Sequence, residues 1–243
     1  DTGWDFATVW GKSSIDENDG YMMLRWQDAS LYDDYIQLSG DITTTYGQLA
    51  DVSDVASVYG VNTSNVSINW GSDITATSNV GTYSDTGTNI LDVTSTNTGG
   101  IYVGDGTASL TINQANITLS VDDITKTYDG TLDATGTANV SSGSLYGTDS
   151  LSGGSFSFTD KNAGSDKTVT VADITIDDGN NGDNYMISYT SNTTSTINQA
   201  TISSITGITA TDKTYDGSTT ATLDTDSASF TGLVTGDDLT LTS

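Results

Sequence analysis

Cysteine, histidine and proline are absent from this chain of 243 residues, and Glu17 is its sole glutamate. Without cysteine there is no disulfide framework, and without cysteine or histidine the usual ligands of zinc, haem and thiol chemistry are missing. Six basic residues stand against 32 acidic ones, a formal charge of −26. Such a chain repels nucleic acid and anionic membrane surfaces, so neither is expected as a partner. No stretch approaches the roughly 20 apolar residues of a membrane-spanning helix, and no membrane insertion is expected. The opening Asp1-Thr2-Gly3-Trp4 has neither the basic start nor the apolar run of a signal peptide, and both ends read as cuts in a longer chain. No carboxylate pair is set apart in an aromatic cleft, and no glycine-rich phosphate loop or basic patch occurs. No enzymatic activity is expected.

What remains is Thr, Ser, Asn, Asp and 26 glycines. Thr favours strands, while Gly, Asn, Asp and Ser favour turns. Many short strands joined by tight turns are therefore expected. Apolar residues alternate within bounded segments, as at Ile117, Leu119 and Val121, at Phe156 and Phe158, at Val169 and Val171, and at Tyr185, Ile187 and Tyr189. One segment departs from this pattern. Leu49, Val52, Val55, Ala56 and Tyr59 fall at spacings of three and four, which predicts one short amphipathic helix.

Two phrases recur. Lys126-Thr127-Tyr128-Asp129-Gly130 returns as Lys213-Thr214-Tyr215-Asp216-Gly217, and Thr111-Ile112-Asn113-Gln114-Ala115 returns as Thr196-Ile197-Asn198-Gln199-Ala200. A fixed period of about 85 residues marks a modular array. Four segments follow: an aromatic junction at 1–30 that holds Trp4, Trp10 and Trp26, a bead at 31–115, a bead at 116–200, and half a bead at 201–243. Thr-Ile-Asn-Gln-Ala is expected to carry the last strand of one bead straight into the next.

These motifs carry a resemblance. Lys126 to Gly130, Phe158-Thr159-Asp160-Lys161-Asn162-Ala163-Gly164, Asp183-Asn184-Tyr185 and Ile197 to Ala200 resemble the YDG and MBG domains of large, filamentous-haemagglutinin-like bacterial surface adhesins. The first bead is closer to the MBG variant through Thr45-Tyr46-Gly47 and Asn79-Val80-Gly81-Thr82-Tyr83. Gly3-Trp4-Asp5-Phe6 to Trp10, followed by Leu24-Arg25-Trp26, resembles the end of a GLUG-type repeat. The resemblance implies tandem antiparallel immunoglobulin-like β-sandwich modules, with Lys126, Tyr128, Asp129, Gly130, Asn162, Gly164, Tyr185, Lys213, Tyr215, Asp216 and Gly217 as structural motif residues. It brings no catalytic residue.

Three side-chain chemistries stand beside it. Asp177, Asp178, Asn180 and Asp183 place many oxygens in one loop, the donor type that calcium takes, although the spacing of an EF-hand is not met. Lys126 and Lys161 lie near Asp and Asn, the ingredients of an isopeptide cross-link; the alternative is a stem packed on the sheet with its charge offsetting Asp. Asn62, Asn65, Asn116, Asn139 and Asn192 open Asn-x-Ser/Thr sequences.

The expected function is a stiff extracellular stalk on the bacterial cell surface, serving attachment or biofilm formation, with neighbouring modules of the same chain as partners. Two alternatives stay open. One is a filament subunit whose half bead is completed by another copy through strand addition. The other is a calcium-dependent glycan- or surface-binding domain.

Overall fold

The computed structural model describes residues 10–11, 23–24, 34–38, 40–54, 56–60, 66–84, 90–96, 101–103 and 108–241. The protein is all-β; among the described residues the helical content is one 3-10 turn. Most of the expected aromatic junction, Trp4 and Trp26 included, lies outside the described residues, as do Asn62 and Asn65. Within it β1 (Trp10–Gly11) and β2 (Met23–Leu24) pair antiparallel. The chain divides into two compact units, Asp1–Ala115 and Asn116–Ser243.

The first unit continues with β3 (Asp34–Leu38), β4 (Gly40–Thr45), β5 (Ala56–Gly60), β6 (Val66–Trp70), β7 (Gly81–Ser84), β8 (Leu91–Ser95), β9 (Ile101–Val103) and β10 (Ala108–Asn113). They pair in the orders β5-β3-β9, β4-β10-β7 and β6-β8. Ala108, Leu110 and Ile112 alternate on the buried face of β10, and Tyr46, Ile74, Ile90 and Leu91 are buried in the same unit.

The expected amphipathic helix does not form. A 3-10 turn at Val52–Asp54 gives way to β5, which pairs with β3 from Ala56↔Leu38 to Gly60↔Asp34. So short a segment cannot sustain a helix without tertiary packing, and its Val58 and Tyr59 favour a strand. The β3 ladder satisfies the backbone that a helix would have satisfied. The Trp70 indole N–H donates to the Ala50 carbonyl at 2.6 Å and fixes the approach to this turn.

The second unit holds β11 (Ala115–Val121), β12 (Thr125–Thr127), β13 (Asp133–Ala134), β14 (Ala138–Ser142), β15 (Ser150–Phe158), β16 (Gly164–Asp177), β17 (Tyr185–Tyr189), β18 (Asn192–Asn198), β19 (Ser204–Thr206), β20 (Thr209–Ala210), β21 (Leu223–Asp224) and β22 (Ser229–Thr231). A three-stranded sheet β14-β11-β17 accompanies a five-stranded sheet β12-β18-β16-β15-β13. Val121 and Ile124, from the first sheet and the segment that leaves it, share one buried cluster with Phe158, Val169 and Ile197 of the second. The predicted alternations therefore converge on a common core. Beyond Asn198 only the two-stranded pairs β19-β22 and β20-β21 form.

Two expectations about strand direction and continuity are corrected. Pairing is not uniformly antiparallel: β3·β9, β4·β10 and β12·β18 are parallel. A parallel pair needs a long crossover, and here the crossover is most of the bead, because its opening strand lies beside its closing one. The closing strand β18 also begins earlier than expected, at Asn192, and stops at Asn198, so Gln199-Ala200 is not a strand-continuous linker.

The long hairpin β15-β16 switches its inward face midway. Phe158 and Val169 are buried on one side of the switch and Ile174 and Ile176 on the other. At the switch Gly153 (φ +70°), Gly154 (φ +112°) and Asp173 (φ +56°) take the left-handed region. A Cβ on Gly154 would lie 2.6 Å from the Phe156 ring, so only glycine fits there.

Candidate functional site

The recurring Lys-Thr-Tyr-Asp-Gly phrase folds into a turn built around its lysine. Lys126 Nζ donates to Asp129 Oδ1 at 2.8 Å, to Thr131 O at 3.0 Å, to Thr131 Oγ1 at 3.2 Å and to Asp133 O at 2.9 Å. Asp129 Oδ1 also accepts the Thr131 backbone N–H at 2.9 Å. Every one of these contacts has a counterpart in the second copy. Lys213 Nζ donates to Asp216 Oδ1 at 3.0 Å, Ser218 O at 3.0 Å, Ser218 Oγ at 2.9 Å and Thr220 O at 2.8 Å, and Ser218 N–H donates to Asp216 Oδ1 at 2.9 Å. Gly130 and Gly217 take nearly the same left-handed φ, +78° and +75°. The motif thus specifies a turn that closes on itself. Its ammonium is shared among turn acceptors, the geometry of an ion-paired loop; Lys161 is exposed, and Asp160 instead pairs with Lys167 and accepts from the Asn162 backbone and side chain. Gly164 opens β16, with the Lys167 stem 3.5 Å from the position of its would-be Cβ.

The second phrase closes the bead against the first. In β12·β18 the parallel register is Thr125↔Thr196, Lys126↔Ile197 and Thr127↔Asn198, and Tyr128 N–H continues it to Asn198 O at 2.8 Å. The first unit repeats the arrangement with Thr43↔Thr111, Thr44↔Ile112 and Thr45↔Asn113, continued by Tyr46 N–H to Asn113 O at 2.9 Å. The two repeated phrases are register partners of one another. Ser195 supports the pair from within: fully buried, it accepts from Ile124 N–H at 3.0 Å and donates to Asn192 Oδ1 at 2.8 Å.

Tyr128 points onward along the chain. Its hydroxyl donates to Asp237 Oδ1 at 2.8 Å, and a Cβ on Gly130 would stand 3.2 Å from Val234 Cγ1. A shallow groove of about 450 Å³ runs beside this contact, lined by Asn162, Gln199, Ile202, Leu233 and Leu239. The neighbouring Asp237 carboxylate disfavours the phenolate and holds the Tyr128 hydroxyl above the usual phenol range. Asp237 was not singled out from sequence; its Gly-Asp-Asp turn looked like any other acidic turn.

The four loop residues expected as calcium ligands are only partly drawn together. Asp178 accepts backbone N–H groups from Asn180 and Gly182, both at 2.8 Å, and from Asn184 at 3.1 Å. Asn180 Nδ2 donates to the fully buried Asn184 Oδ1 at 2.9 Å. Asp177 ends β16 on the exposed side, and Asp183 is exposed. Burial pushes the Asp178 carboxyl up, but the three N–H donors outweigh it and hold the group below the usual range. No group of three or more metal-type side chains occurs among the described residues. The loop also positions Tyr185, whose hydroxyl donates to Asp149 Oδ2 at 2.6 Å, accepts Tyr146 N–H at 2.9 Å, and whose ring stacks on Tyr146.

A family model for the YDG domain matches residues 111–194 and again residues 198–243, together more than half of the chain. The chain belongs to the YDG-domain family. No curated protein and no solved structure matches it. The name-giving Tyr-Asp-Gly residues are those of the lysine turn: tyrosine for the contact with the following segment, aspartate for the lysine, and glycine for the left-handed residue that closes the loop. The two family matches each hold one copy.

The YDG carboxylates give a signed pH prediction. Lys126 and the Thr131 N–H hold Asp129 down to about 2, and the Ser218 N–H and Lys213 hold Asp216 below its usual range. A carboxyl with a depressed folded value contributes stability above its unfolded value, near 4, and loses it as pH falls. The second unit is therefore expected to be fully stable above about pH 4.5 and to weaken progressively from about pH 4 toward pH 2. Urea unfolding at a series of pH values checks this; an unchanged midpoint from pH 5 to pH 2 contradicts it.

Proposed function

We propose that this protein is a structural stalk segment of a large bacterial surface adhesin, exported from the cell, in which successive YDG modules supply stiff length for attachment or biofilm formation. The observation that carries the reading is the Tyr128–Asp237 contact, which ties the motif of one module to the turn of the next. A spacer works by restricting the hinge between its beads, and a half-buried hydrogen bond to a carboxylate beside apolar Val234 restricts one. In this reading residues 116–200 form an immunoglobulin-like sandwich from the three- and five-stranded sheets, residues 31–115 an MBG-like one, and residues 1–30 the end of a GLUG-type repeat. The high negative charge keeps such stalks soluble and apart.

The absence of cysteine makes the test clean. Spin labels on Ser152→Cys and Thr219→Cys, one on each side of the joint, are expected to give a narrow distance distribution. Tyr128→Phe and Asp237→Asn should each broaden it while leaving the buried core around Phe158 intact. Because the Tyr128 phenol is stabilised in its neutral form, the joint should also hold below about pH 10 and open as pH rises above that value. A distribution already broad in the unaltered protein removes the support for a stiff spacer.

A further inference from the structure

We infer that the Lys213–Asp216 edge is a strand-docking site that takes, in parallel, an extended segment of the Thr-Ile-Asn-Gln-Ala type. This goes beyond the stalk reading and is independent of the Tyr128–Asp237 joint. Three observations carry it. First, the same edge is occupied in the two earlier copies of the pattern, by Thr111–Asn113 over Thr43–Thr45 and by Thr196–Asn198 over Thr125–Thr127, both in parallel and both ending on a tyrosine N–H to asparagine carbonyl bond. Second, the third copy is folded but has no such strand beside it among the described residues. Its lysine turn matches that of Lys126 contact for contact, while Lys213 to Gly217 lie in no ladder and Tyr215 is 92% exposed. Third, apolar side chains stand uncovered near the edge: Ile205 is 43%, Ile208 40% and Leu223 51% exposed, whereas Val121 and Ile124, which precede the Lys126 turn, are buried.

A preformed edge with open N–H and C=O groups is a template for an added strand, and here the twin copies state which one fits. By the register of β12·β18, Lys213 would lie opposite the isoleucine and Thr214 opposite the asparagine, whose carbonyl would accept the Tyr215 N–H. The isoleucine would cover apolar surface in the way Ile197 does within its cluster. Both Thr-Ile-Asn strands described here are already held in sheets, so the occupant is a further segment of that sequence type that is not yet paired.

The test titrates the whole chain with a synthetic peptide of residues 192–200 and follows backbone amides by NMR, which detects even millimolar binding. The expected result is saturable shifts confined to Thr211–Asp216 and the nearby Ile208. A paramagnetic label on the peptide N-terminus should broaden Thr211 more than Gly217, as parallel docking requires. A peptide with Asp in place of isoleucine should bind at least about tenfold more weakly, the scale of one lost apolar side chain. Tyr215→Pro, which removes the N–H at an exposed position, should abolish the shifts while the Lys126 turn keeps its own. Absence of shifts, equal binding of a scrambled peptide, antiparallel broadening, or perturbation of Thr125–Thr127 in place of the Lys213 edge would each overturn the inference.

Discussion

Phe158→Ala is expected to cost the Asn116–Ser243 unit about 3–5 kcal/mol, the largest effect of any single change considered. Phe158 is 1% exposed and sits where Val121, Ile124, Val169 and Ile197 meet, so truncation leaves a cavity that two sheets must share. Its ring also lies 5.5 Å from Lys126 Nζ, and the substitution removes that cation–π contact as well. Urea unfolding of the intact chain, followed by near-ultraviolet circular dichroism of the tyrosines, should show the loss in a midpoint shift. A cost below about 1 kcal/mol would mean that the two sheets do not share this core. Phe156→Ala should cost less, since Phe156 packs against the cluster from its partly buried rim.

Lys126→Met is expected to destabilise the same unit by about 2 kcal/mol, because methionine keeps the packed stem and loses every donor of the turn. The Thr131 and Asp133 carbonyls would lose their protein partner, and Asp129 would be left facing a strongly acidic surface. Lys213→Met should cost distinctly less. The Lys126 side chain is 15% exposed under β18 and Phe158, whereas Lys213 is 37% exposed with no strand over it. Water replaces the lost donors more readily at the second site. Hydrogen exchange at the Thr131 and Ser218 amides, read in both variants, measures the two turns separately. Equal protection loss and equal melting shifts would show that the covering strand adds nothing to the first turn.

Much of the fold was legible because strand alternation is a local property. Ile117-Leu119-Val121 and Phe156-Phe158 declare an inward face without reference to the rest of the chain, and the structure buries Ile117, Leu119, Val121 and Phe158. The helix expected from Leu49 to Tyr59 failed for a related reason. Spacings of three and four describe a face that a helix would present, but the hydrogen bonds that decide the matter came from β3, a strand distant in sequence. The face switch in β15-β16 was equally invisible, since Gly153-Gly154 reads as a turn until Asp173 is found opposite it.

By itself the sequence determined the class, the repeat and the turn. Thr and Asp without proline or cysteine make short strands and acidic turns, and the return of Lys-Thr-Tyr-Asp-Gly fixes a loop whose partners all lie within a few residues of the lysine. Only the tertiary structure decided that Thr-Ile-Asn is not a linker but the strand that closes each bead in parallel beside that turn, and that Tyr128 reaches Asp237. Those pairings join residues far apart along the chain. They are chosen by which buried faces and open edges meet, a sum over the whole module that no local pattern encodes.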